Sequence, residues 1–294
     1  MPTPSLLLHF EEEQASAARI AQAAGIATAC VERHRFPDGE LKLRLPPELP
    51  PSVVLLRTLD YPNEKLVELL LVAGTARQLG AQHLTLVAPY LAYMRQDIAF
   101  HPGEVVSQRV VGSFLASLFD AVITVDPHLH RVATLEEAVP VPHAVVLSGA
   151  PLLADWIAAH VQRPLLVGPD EESAQWIGQA AARHGFDFAV CHKIRHGDRH
   201  VEVALPDVTV AGRNVVLLDD VASSGQTLAV ATRLLLAAGA TGVDVAVTHA
   251  LFADDAVQLI KAAGVGQVWS TDCIAHPTNA VSMAPAIADA LRTF

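Results

Sequence analysis

The stretch Val215–Thr227 reads VVLLDDVASSGQT. Four apolar β-forming residues are followed by two carboxylates, by a loop of small residues and by a helical run that starts near Thr227. In open α/β sheets, ligands bind beyond the carboxyl ends of the strands. A Ser-Ser-Gly loop that enters a helix offers free backbone N–H groups and the positive end of the helix dipole. The stretch therefore predicts a strand, a phosphate-binding loop and a helix of an α/β domain.

The side chains of this stretch suit a sugar phosphate. Gly225 allows the backbone to approach a ligand closely, and Asp219 and Asp220 can accept hydrogen bonds from two hydroxyls of a ribose ring. Further hydroxyl donors for a phosphate are Ser223, Ser224 and Thr227. An Asp-rich turn that merely caps a helix is the alternative interpretation. The sequence contains no GxxxxGK-Ser/Thr pattern, so the loop is not of the Walker type.

Short β-rich runs alternate with helical runs rich in Ala and Leu on both sides of this stretch. The predicted strands are Ser52–Thr58, His83–Ala88, Ala121–Val125, Pro164–Val167, Asn214–Leu218 and Val243–Thr248. The predicted helices are Asn63–Leu79, Val105–Leu118, Leu152–His160, Ser173–His184, Thr227–Ala238, Asp254–Ala263 and Ile287–Phe294. Strands that are apolar on both faces and separated by helices predict an α/β fold with parallel sheets covered on both sides. The Pro-containing stretch Glu137–Pro142 is the best candidate linker between two such halves.

Composition excludes several classes of protein. The chain has 294 residues, of which 51% are hydrophobic and 17% charged, so it has ample apolar surface to bury and is not disordered. Its net charge of −11 argues against binding a nucleic-acid backbone, which requires clustered positive charge. The three cysteines fit no metal-ligand spacing and suit a reducing compartment. No signal peptide and no apolar run of roughly 18 residues is present, so we expect a cytoplasmic protein without membrane or nucleic-acid partners.

Val215–Thr227 resembles the ribose-5-phosphate-binding signature of the type I phosphoribosyltransferase fold. That signature occurs in phosphoribosyltransferases and in ribose-phosphate pyrophosphokinases, which are also called PRPP synthetases. Five more segments resemble the second group, in its order: Phe36–Glu40 (FPDGE), Pro89–Asp97 (PYLAYMRQD), Thr124–His130 (TVDPHLH), Val167–Ser173 (VGPDEES) and Thr271–Asn279 (TDCIAHPTN). Phe100–Glu104 looks more like the short archaeal-type members than the allosteric bacterial ones.

The resemblance implies two phosphoribosyltransferase-like domains related by a pseudo-two-fold, with the C-terminal helix returning to the first. Residues 1–142 with 276–294 would bind ATP, and residues 143–275 would bind ribose 5-phosphate. The implied activity is that of a ribose-phosphate diphosphokinase, a Mg²⁺-dependent enzyme of nucleotide biosynthesis that converts ATP and ribose 5-phosphate to 5-phosphoribosyl 1-pyrophosphate and AMP. The implied assembly is a homodimer or a larger homo-oligomer. The implied sugar-phosphate site consists of Asp219, Asp220, Ser223, Ser224, Gly225, Gln226 and Thr227.

The implied ATP site draws on two segments. Arg95, Gln96 and Asp97 follow a predicted strand, where a polar triplet is either a ligand edge or a solvated loop. By resemblance Arg95 stacks on adenine or contacts the polyphosphate, assisted by the other two. Pro37-Asp38-Gly39 is strong turn chemistry and, read alone, predicts a surface β-turn. By resemblance the turn reaches the ATP site of a neighbouring subunit. There Phe36 would pack on adenine, and Asp38 and Glu40 would contact the edge of the adenine ring.

Metal and transition-state groups are also implied by the resemblance. His128 matches a histidine that contacts metal and phosphate, with His130 as the alternative, and Asp170 matches a second magnesium-linked position. If the segment that contains Lys193-Ile194-Arg195 is extended, Lys193 and Arg195 face the same side. The family places such a Lys-x-Arg pair on a flexible loop over the transferring phosphoryl groups, whereas a solvated basic hairpin is the alternative.

Two departures from the family pattern and two rival functions stay open. Glu171 and Glu172 stand where the pyrophosphate-side loop often has glycines, and Ser223-Ser224 stands where Asp-Thr is common. A phosphoribosyltransferase would use the same loop, although the second α/β half argues against it. A non-catalytic regulatory homologue is expected to lose the flap cations or the Asp pair, and this chain has both.

Overall fold

The chain forms two compact units. The computed structural model describes residues 3–129, 131–170, 173–196, 200–205, 208–253 and 255–294. The first unit consists of Met1–Leu147 with Met283–Phe294, and the second of Ser148–Ser282. These boundaries lie later in the chain than those predicted at 142/143 and 275/276. The physical reason is strand pairing, because His143–Leu147 pairs with a strand of the first sheet and Asn279–Val281 with a strand of the second.

The first unit contains a six-stranded parallel sheet in the order β2-β1-β5-β6-β7-β8. Its strands are β1 (Leu6–His9), β2 (Ala27–Cys30), β5 (Ser52–Leu56), β6 (His83–Ala88), β7 (Ala121–Val125) and β8 (His143–Leu147). Its helices are α1 (Gln14–Ala24), α2 (Pro62–Gln78), α3 (Ser107–Leu118), α4 (Leu135–Ala138) and α9 (Ala284–Leu291). Every residue of β5 and β7 is buried, as expected for strands covered on both faces.

The second unit contains a six-stranded parallel sheet in the order β10-β9-β13-β14-β15-β16. Its strands are β9 (Leu165–Gly168), β10 (Asp187–Val190), β13 (Asn214–Ala222), β14 (Gly242–Ala250), β15 (Val265–Thr271) and β16 (Asn279–Val281). Its helices are α5 (Ala150–His160), α6 (Ala174–His184), α7 (Gln226–Ala237) and α8 (Ala256–Ala262). The α/β fold with two parallel sheets flanked by helices, predicted from the alternation, is confirmed.

Each unit also carries a separate antiparallel hairpin. In the first unit it consists of β3 (Glu32–Arg35) and β4 (Leu41–Arg44), and in the second of β11 (His192–His196) and β12 (His200–Ala204). Counted within its own sheet, the strand order is 2-1-3-4-5-6 in both units, and each hairpin is inserted between the second and third sheet strands. The two units therefore repeat one topology, which the sequence did not show as a readable repeat.

The strand that precedes the phosphate loop is longer than predicted. The sequence predicted a strand over Asn214–Leu218, whereas β13 extends to Ala222. Pairing with β14 continues through Asp219 opposite Val247 and Val221 opposite His249, which keeps the chain extended. The two aspartates thus belong to the strand rather than to the loop that follows it. Among the described residues, no helix is long and apolar enough to cross a membrane.

Candidate active site

The loop between β13 and α7 leads into the amino end of a helix. Gly225 precedes the first residue of α7 and adopts a left-handed φ of 71°, which glycine tolerates without strain. A Cβ at this position would lie 3.1 Å from the Ala256 carbonyl oxygen and from Ile260 Cγ2 of helix α8. The first N–H groups of a helix have no partner within the helix. The loop therefore directs the positive end of α7 toward the carboxyl edge of the sheet.

A second contact fixes the position of this loop. The Ala253 N–H donates to the Ser223 carbonyl oxygen at 3.1 Å, which ties the loop to the segment after β14. In that segment the Phe252 ring lies 5.1 Å from the ring of His276, centroid to centroid. The His276 ring in turn hydrogen-bonds Thr278 Oγ1 at 2.8 Å. The segment Thr271–Asn279 thus packs against the segment that is hydrogen-bonded to the loop.

Three carboxylates lie near the carboxyl edge of the second sheet, close enough to affect one another electrostatically. Asp219 lies near the end of β13, Asp220 is next to it, and Asp170 follows β9, the strand paired with β13. Burial, with added repulsion from Asp220 and Asp170, raises the pKa of Asp219 well above its ordinary value. The Asp220 N–H donates to Asp219 Oδ1 at 3.0 Å. This edge is strongly negative and suited to a cation or to hydroxyl donors.

The hairpin β11–β12 carries the predicted flap cations. Lys193 lies opposite Val203 and Arg195 opposite Val201 in the antiparallel register, so the two basic residues alternate with Ile194 along β11. The backbone of the extended segment is therefore as predicted. The side chains of this hairpin and the residues 197–199 lie outside the described part of the chain, as do His130, Glu171 and Glu172.

In the first unit, an ion pair joins the Arg95–Asp97 segment, predicted to bind ATP, to the residues that follow His128. The Arg131 guanidinium donates to Asp97 Oδ1 at 2.7 Å, and the Arg131 N–H donates to Asp97 Oδ2 at 3.1 Å. Asp97 is buried and both its oxygens are engaged, so it holds the loop that contains His128 beside the Arg95–Asp97 segment. Arg131 was missed by sequence reasoning, although it directly follows the Thr124–His130 segment.

Arg95 and Gln96, the two residues before Asp97, differ in their contacts. Arg95 is exposed and makes no hydrogen bond or ion pair with any residue that the structure describes. Gln96 is exposed as well, but its Oε1 accepts a hydrogen bond from Ser107 Oγ at 2.8 Å and its carbonyl accepts one from the Gln108 N–H at 3.2 Å. Gln96 is thus fixed at the start of α3, whereas the Arg95 guanidinium is available to an anion.

The turn between β3 and β4 has the geometry predicted for FPDGE. The Phe36 N–H donates to the Glu40 carbonyl at 2.9 Å, and the Gly39 N–H to the Phe36 carbonyl at 2.9 Å. Gly39 has a φ of 94°, in the region that favours glycine. Asp38 Oδ1 accepts a hydrogen bond from the Glu40 N–H at 3.2 Å. The Phe36 side chain is 40% exposed at the tip of the hairpin, an apolar ring presented to its surroundings.

The two predicted metal ligands lie in different units. His128 belongs to the first unit, in the loop after β7, and Asp170 to the second, in the loop after β9. Among the described residues, no three His, Cys, Asp or Glu side chains converge to hold a metal by protein ligands alone.

Comparison with known proteins follows the same division of the chain. A model of the N-terminal domain of ribose phosphate pyrophosphokinase matches residues 5–118, and a model of the phosphoribosyl transferase domain matches residues 149–262. The crystal structure of phosphoribosylpyrophosphate synthetase from Mycobacterium smegmatis has a TM-score of 0.85, covers 98% of each chain and is 24% identical. At that identity the match shows the fold alone.

Two curated relatives match in sequence over almost the full length. The ribose-phosphate pyrophosphokinase of Methanopyrus kandleri is 36% identical over 277 residues, which are 93% of this chain and 94% of the relative. That of Halobacterium salinarum is 34% identical over 289 residues, which are 97% of this chain and 100% of the relative. Identity at this level over both α/β units shows that the chain belongs to the ribose-phosphate pyrophosphokinase family.

Proposed function

We propose that the chain is a ribose-phosphate diphosphokinase that transfers the β,γ-pyrophosphoryl group of Mg·ATP to the 1-hydroxyl of ribose 5-phosphate. The products are 5-phosphoribosyl 1-pyrophosphate and AMP. The observation that carries the proposal is the cluster of Asp170, Asp219 and Asp220 beside the loop that opens α7. The shared name of the relatives along nearly the whole chain supports the same reaction.

Ribose 5-phosphate binds to the second unit. Its phosphate lies against the backbone N–H groups and hydroxyls of residues 223–227, at the positive end of helix α7. Carboxyl oxygens of Asp219 and Asp220 accept hydrogen bonds from the ribose hydroxyls. Because the phosphate and the hydroxyls are held at separate points, the sugar is fixed in position with its 1-hydroxyl free to react.

The acidic cluster fits a magnesium ion. Burial, with added repulsion from Asp220 and Asp170, raises the pKa of Asp219, and a divalent cation would relieve that repulsion. Magnesium commonly takes one or two protein carboxylates together with phosphate oxygens, so a complete protein cage is not needed. Asp170 would hold the ion in this unit, and His128 would contact metal or phosphate on the ATP side. When bound, the ion would neutralise charge on the phosphate oxygens.

ATP binds through the first unit. The exposed guanidinium of Arg95 contacts the nucleotide, while Gln96 is held in place by Ser107. Asp97 acts through its ion pair with Arg131, which sets the position of the His128 loop. Phe36 packs on adenine and the turn residues Asp38 and Glu40 contact its edge.

The chemical step is an in-line attack of the sugar 1-hydroxyl on the β-phosphorus, with AMP as leaving group. Positioning and charge stabilisation supply most of the catalysis in phosphoryl transfer. Lys193 and Arg195 act on the charge that develops on the phosphate oxygens, which is where preorganised cations are most effective. Their position on a hairpin outside the main sheet allows them to approach after both substrates have bound.

The assembly follows from the hairpin β3–β4. If its tip completes the ATP site of a neighbouring copy, the active form is a homodimer or a larger homo-oligomer. The net charge of −11 does not favour a nucleic-acid backbone as a partner, and a nucleotide-biosynthetic role would suit a cytoplasmic location.

A coupled assay for AMP, with Mg·ATP in the presence and absence of ribose 5-phosphate, tests the function. AMP should appear only with the sugar phosphate, in equal amount to 5-phosphoribosyl 1-pyrophosphate. ADP as the nucleotide product would contradict the proposal. Consumption of 5-phosphoribosyl 1-pyrophosphate by a free nucleobase, without AMP formation from ATP, would instead support a phosphoribosyltransferase.

A further inference from the structure

The hairpin that carries Phe36 lies outside the main sheet. Strands β3 and β4 pair only with each other among the described strands, and every residue of β3 is exposed. In the register, Arg33 lies opposite Leu43 and Arg35 opposite Leu41. Because side chains alternate along a strand, these four residues share the face turned to the body of the unit. The position of Phe36 therefore depends on what this face contacts.

Arg33 makes the contacts that tie the hairpin to the unit. Its Nη1 donates to Glu12 Oε1 at 3.0 Å and to Glu68 Oε1 at 2.6 Å, and its Nη2 donates to Glu12 Oε2 at 3.2 Å. A guanidinium that donates to two carboxylates fixes direction as well as distance. The neighbouring pair, Arg35 with Glu64, is about half exposed on both sides. Pairs of that kind contribute little.

The carboxylates that bind Arg33 are themselves held by Arg57. Glu68 is fully buried and shares its two oxygens between Arg33 and Arg57. Arg57 is 1% exposed and donates from Nη1 to Glu12 Oε1 at 2.9 Å and to Glu13 Oε1 at 2.8 Å. We call Glu12, Glu13, Arg33, Arg57 and Glu68 the Arg57 cluster. A buried and mutually bonded set of charges is rigid, because breaking one pair leaves an uncompensated buried charge.

The Arg57 cluster lies where an open α/β sheet places its ligand. The strand order of the first sheet reverses between β1 and β5, and the crevice beyond the carboxyl ends of such strands is the usual ligand site. Glu12 and Glu13 follow β1, and Arg57 follows β5 directly. In the first unit this crevice therefore contains the ion pairs of the Arg57 cluster. Arg33 connects the β3–β4 hairpin to that cluster.

We infer that Arg33 is a positioning residue for ATP binding. Through Glu68 and Glu12 it holds the β3–β4 hairpin in the orientation that presents Phe36 to adenine, without touching the nucleotide itself. The inference rests on the proposed role of Phe36 in the ATP site. The inference adds a residue that determines ATP affinity from the face of the hairpin turned to the body of the unit.

The test compares Arg33→Met with Arg44→Met in the full chain. Arg44 is a matched control because it lies on the same hairpin and, among the described residues, forms its ion pair with exposed Glu32. Arg33→Met should raise the calorimetric Kd and the KM for Mg·ATP about tenfold, the effect of losing about 1.4 kcal/mol of preorganisation. The KM for ribose 5-phosphate should change less than about twofold. Amide hydrogen exchange over residues 32–44 should be faster than in the parent without nucleotide, and Arg44→Met should match the parent in every readout.

Phe36→Ala separates this inference from the proposed function. If Phe36→Ala leaves ATP affinity unchanged, the ATP role of the turn is wrong. If Phe36→Ala weakens ATP binding but Arg33→Met does not, the turn binds ATP and the positioning inference is overturned. In the double variant Arg33→Met/Phe36→Ala, ATP affinity should be no weaker than in Phe36→Ala alone, because Arg33 acts through Phe36. Additive losses would show that Arg33 acts by another route.

A milder variant covers the case in which Arg33→Met does not fold. Glu12 is 42% exposed and accepts hydrogen bonds from Nη1 and Nη2 of Arg33. Glu12→Gln therefore weakens the connection between the hairpin and the cluster while leaving the buried Glu68 in place. It should raise the KM for Mg·ATP in the same direction by a smaller factor and accelerate exchange over residues 32–44. Unchanged ATP affinity together with accelerated exchange would show that the Arg57 cluster stabilises the hairpin but does not affect ATP binding, which would overturn the inference.

Discussion

At the scale of single residues, Glu13 has the most unusual environment in the Arg57 cluster. Burial is the largest effect on it and raises its pKa from 4.5 to about 7, despite the opposing charge of Arg57. One oxygen, Oε2, is buried and has no hydrogen-bond partner within the described chain. Three carboxylates share two guanidinium groups in the cluster, so one acid is in excess, and Glu13 is the one that takes up a proton.

The raised pKa of Glu13 sets a window of pH-dependent stability. Between pH 4.5 and about 7 the folded state binds more protons than the unfolded state, so the free energy of unfolding falls as pH rises. The full effect is about 3 kcal/mol and is complete above about pH 7. Glu13→Gln should remove this loss and make the variant more stable than the parent at pH 8, but not at pH 4.5.

Urea unfolding at pH 4.5, 6 and 8 measures the effect. Exposed Glu11 precedes the cluster on the same turn, and Glu11→Gln serves as control, with a pH profile like that of the parent. Parallel profiles for the parent and Glu13→Gln would contradict the titration assigned to Glu13. Glu12 acts in the opposite sense below pH 4.5, because its pKa is lowered to about 2.

Asp220 has a predicted effect on one substrate only. Asp220→Asn removes a charged acceptor for a ribose hydroxyl, so the KM for ribose 5-phosphate should rise by about tenfold or more, the range for a lost hydrogen bond to a charged group. The Kd for Mg·ATP should change much less. The substitution also relieves repulsion with Asp219, so the ligand-free protein should unfold at a higher temperature. Steady-state kinetics and thermal unfolding give the two readouts.

Asp187→Asn is the control for Asp220→Asn. Asp187 begins β10 in the same sheet and forms an exposed ion pair with Arg213, away from the acidic cluster. Asp187→Asn should leave the KM for Mg·ATP and the KM for ribose 5-phosphate unchanged. A normal KM and turnover for ribose 5-phosphate in Asp220→Asn would remove this residue from the sugar site.

At the scale of elements, the β11–β12 hairpin should act on the transition state. Lys193→Ala and Arg195→Ala should each lower kcat by about 10² to 10³, the cost of removing one preorganised donor. The Michaelis constants should change less, because the interaction is made mainly in the transition state. The double variant should lose less than the product of the two, since both cations act on one transition state.

Arg213→Ala is the matched control for the flap. Arg213 is a cation of the same unit that lies just before β13, at the amino edge of the sheet. Arg213→Ala should leave kcat unchanged within about twofold. Near-normal kcat in the correctly folded flap variants would exclude these residues from the mechanism. A loss confined to the Michaelis constants would make them ground-state binding residues instead.

Elements with local signals were the ones that the sequence could predict. Strands β6 and β7 have the predicted bounds, because apolar runs between turn residues determine strands that are buried on both faces. The β3–β4 hairpin was predicted only at its turn, because β3 is short, polar and exposed and the apolar alternation of β4 extends over only four residues. The Arg57 cluster was not predictable, because it joins Arg57 to Glu13 and Arg33 to Glu68 across 44 and 35 residues.

At the scale of the whole molecule, activity should require more than one copy of the chain. If the Phe36 turn completes a neighbour's ATP site, a Phe36→Ala chain and a Lys193→Ala chain should each be nearly inactive alone. Mixing them should restore part of the activity, because one site of a mixed dimer then draws both intact elements. Native mass spectrometry verifies the mixing, with each parent oligomer assayed alone as control. No rescue in verified mixed oligomers would indicate that the turn serves its own chain.

The two-unit organisation was predictable from the alternation of strands and helices, but its boundaries were not. The linker prediction at Glu137–Pro142 placed the next strand in the second half, whereas β8 completes the first sheet. A proline-containing stretch shows where a helix or strand stops, and it carries no information on which sheet the next strand will join. The same limit applies to β16, which is only three residues long.

The shared strand order of the two sheets, each with a hairpin inserted at the same point, is the pattern that a tandem gene duplication leaves. The copies have since diverged at matching positions. Arg33 and Arg35 are the second and fourth residues of β3, and Lys193 and Arg195 are the second and fourth of β11. In the first copy the basic strand is satisfied by glutamates of its own chain. In the second, the side chains of the basic strand lie outside the described residues, and the proposed function assigns the equivalent cations to a substrate that arrives with its own negative charge.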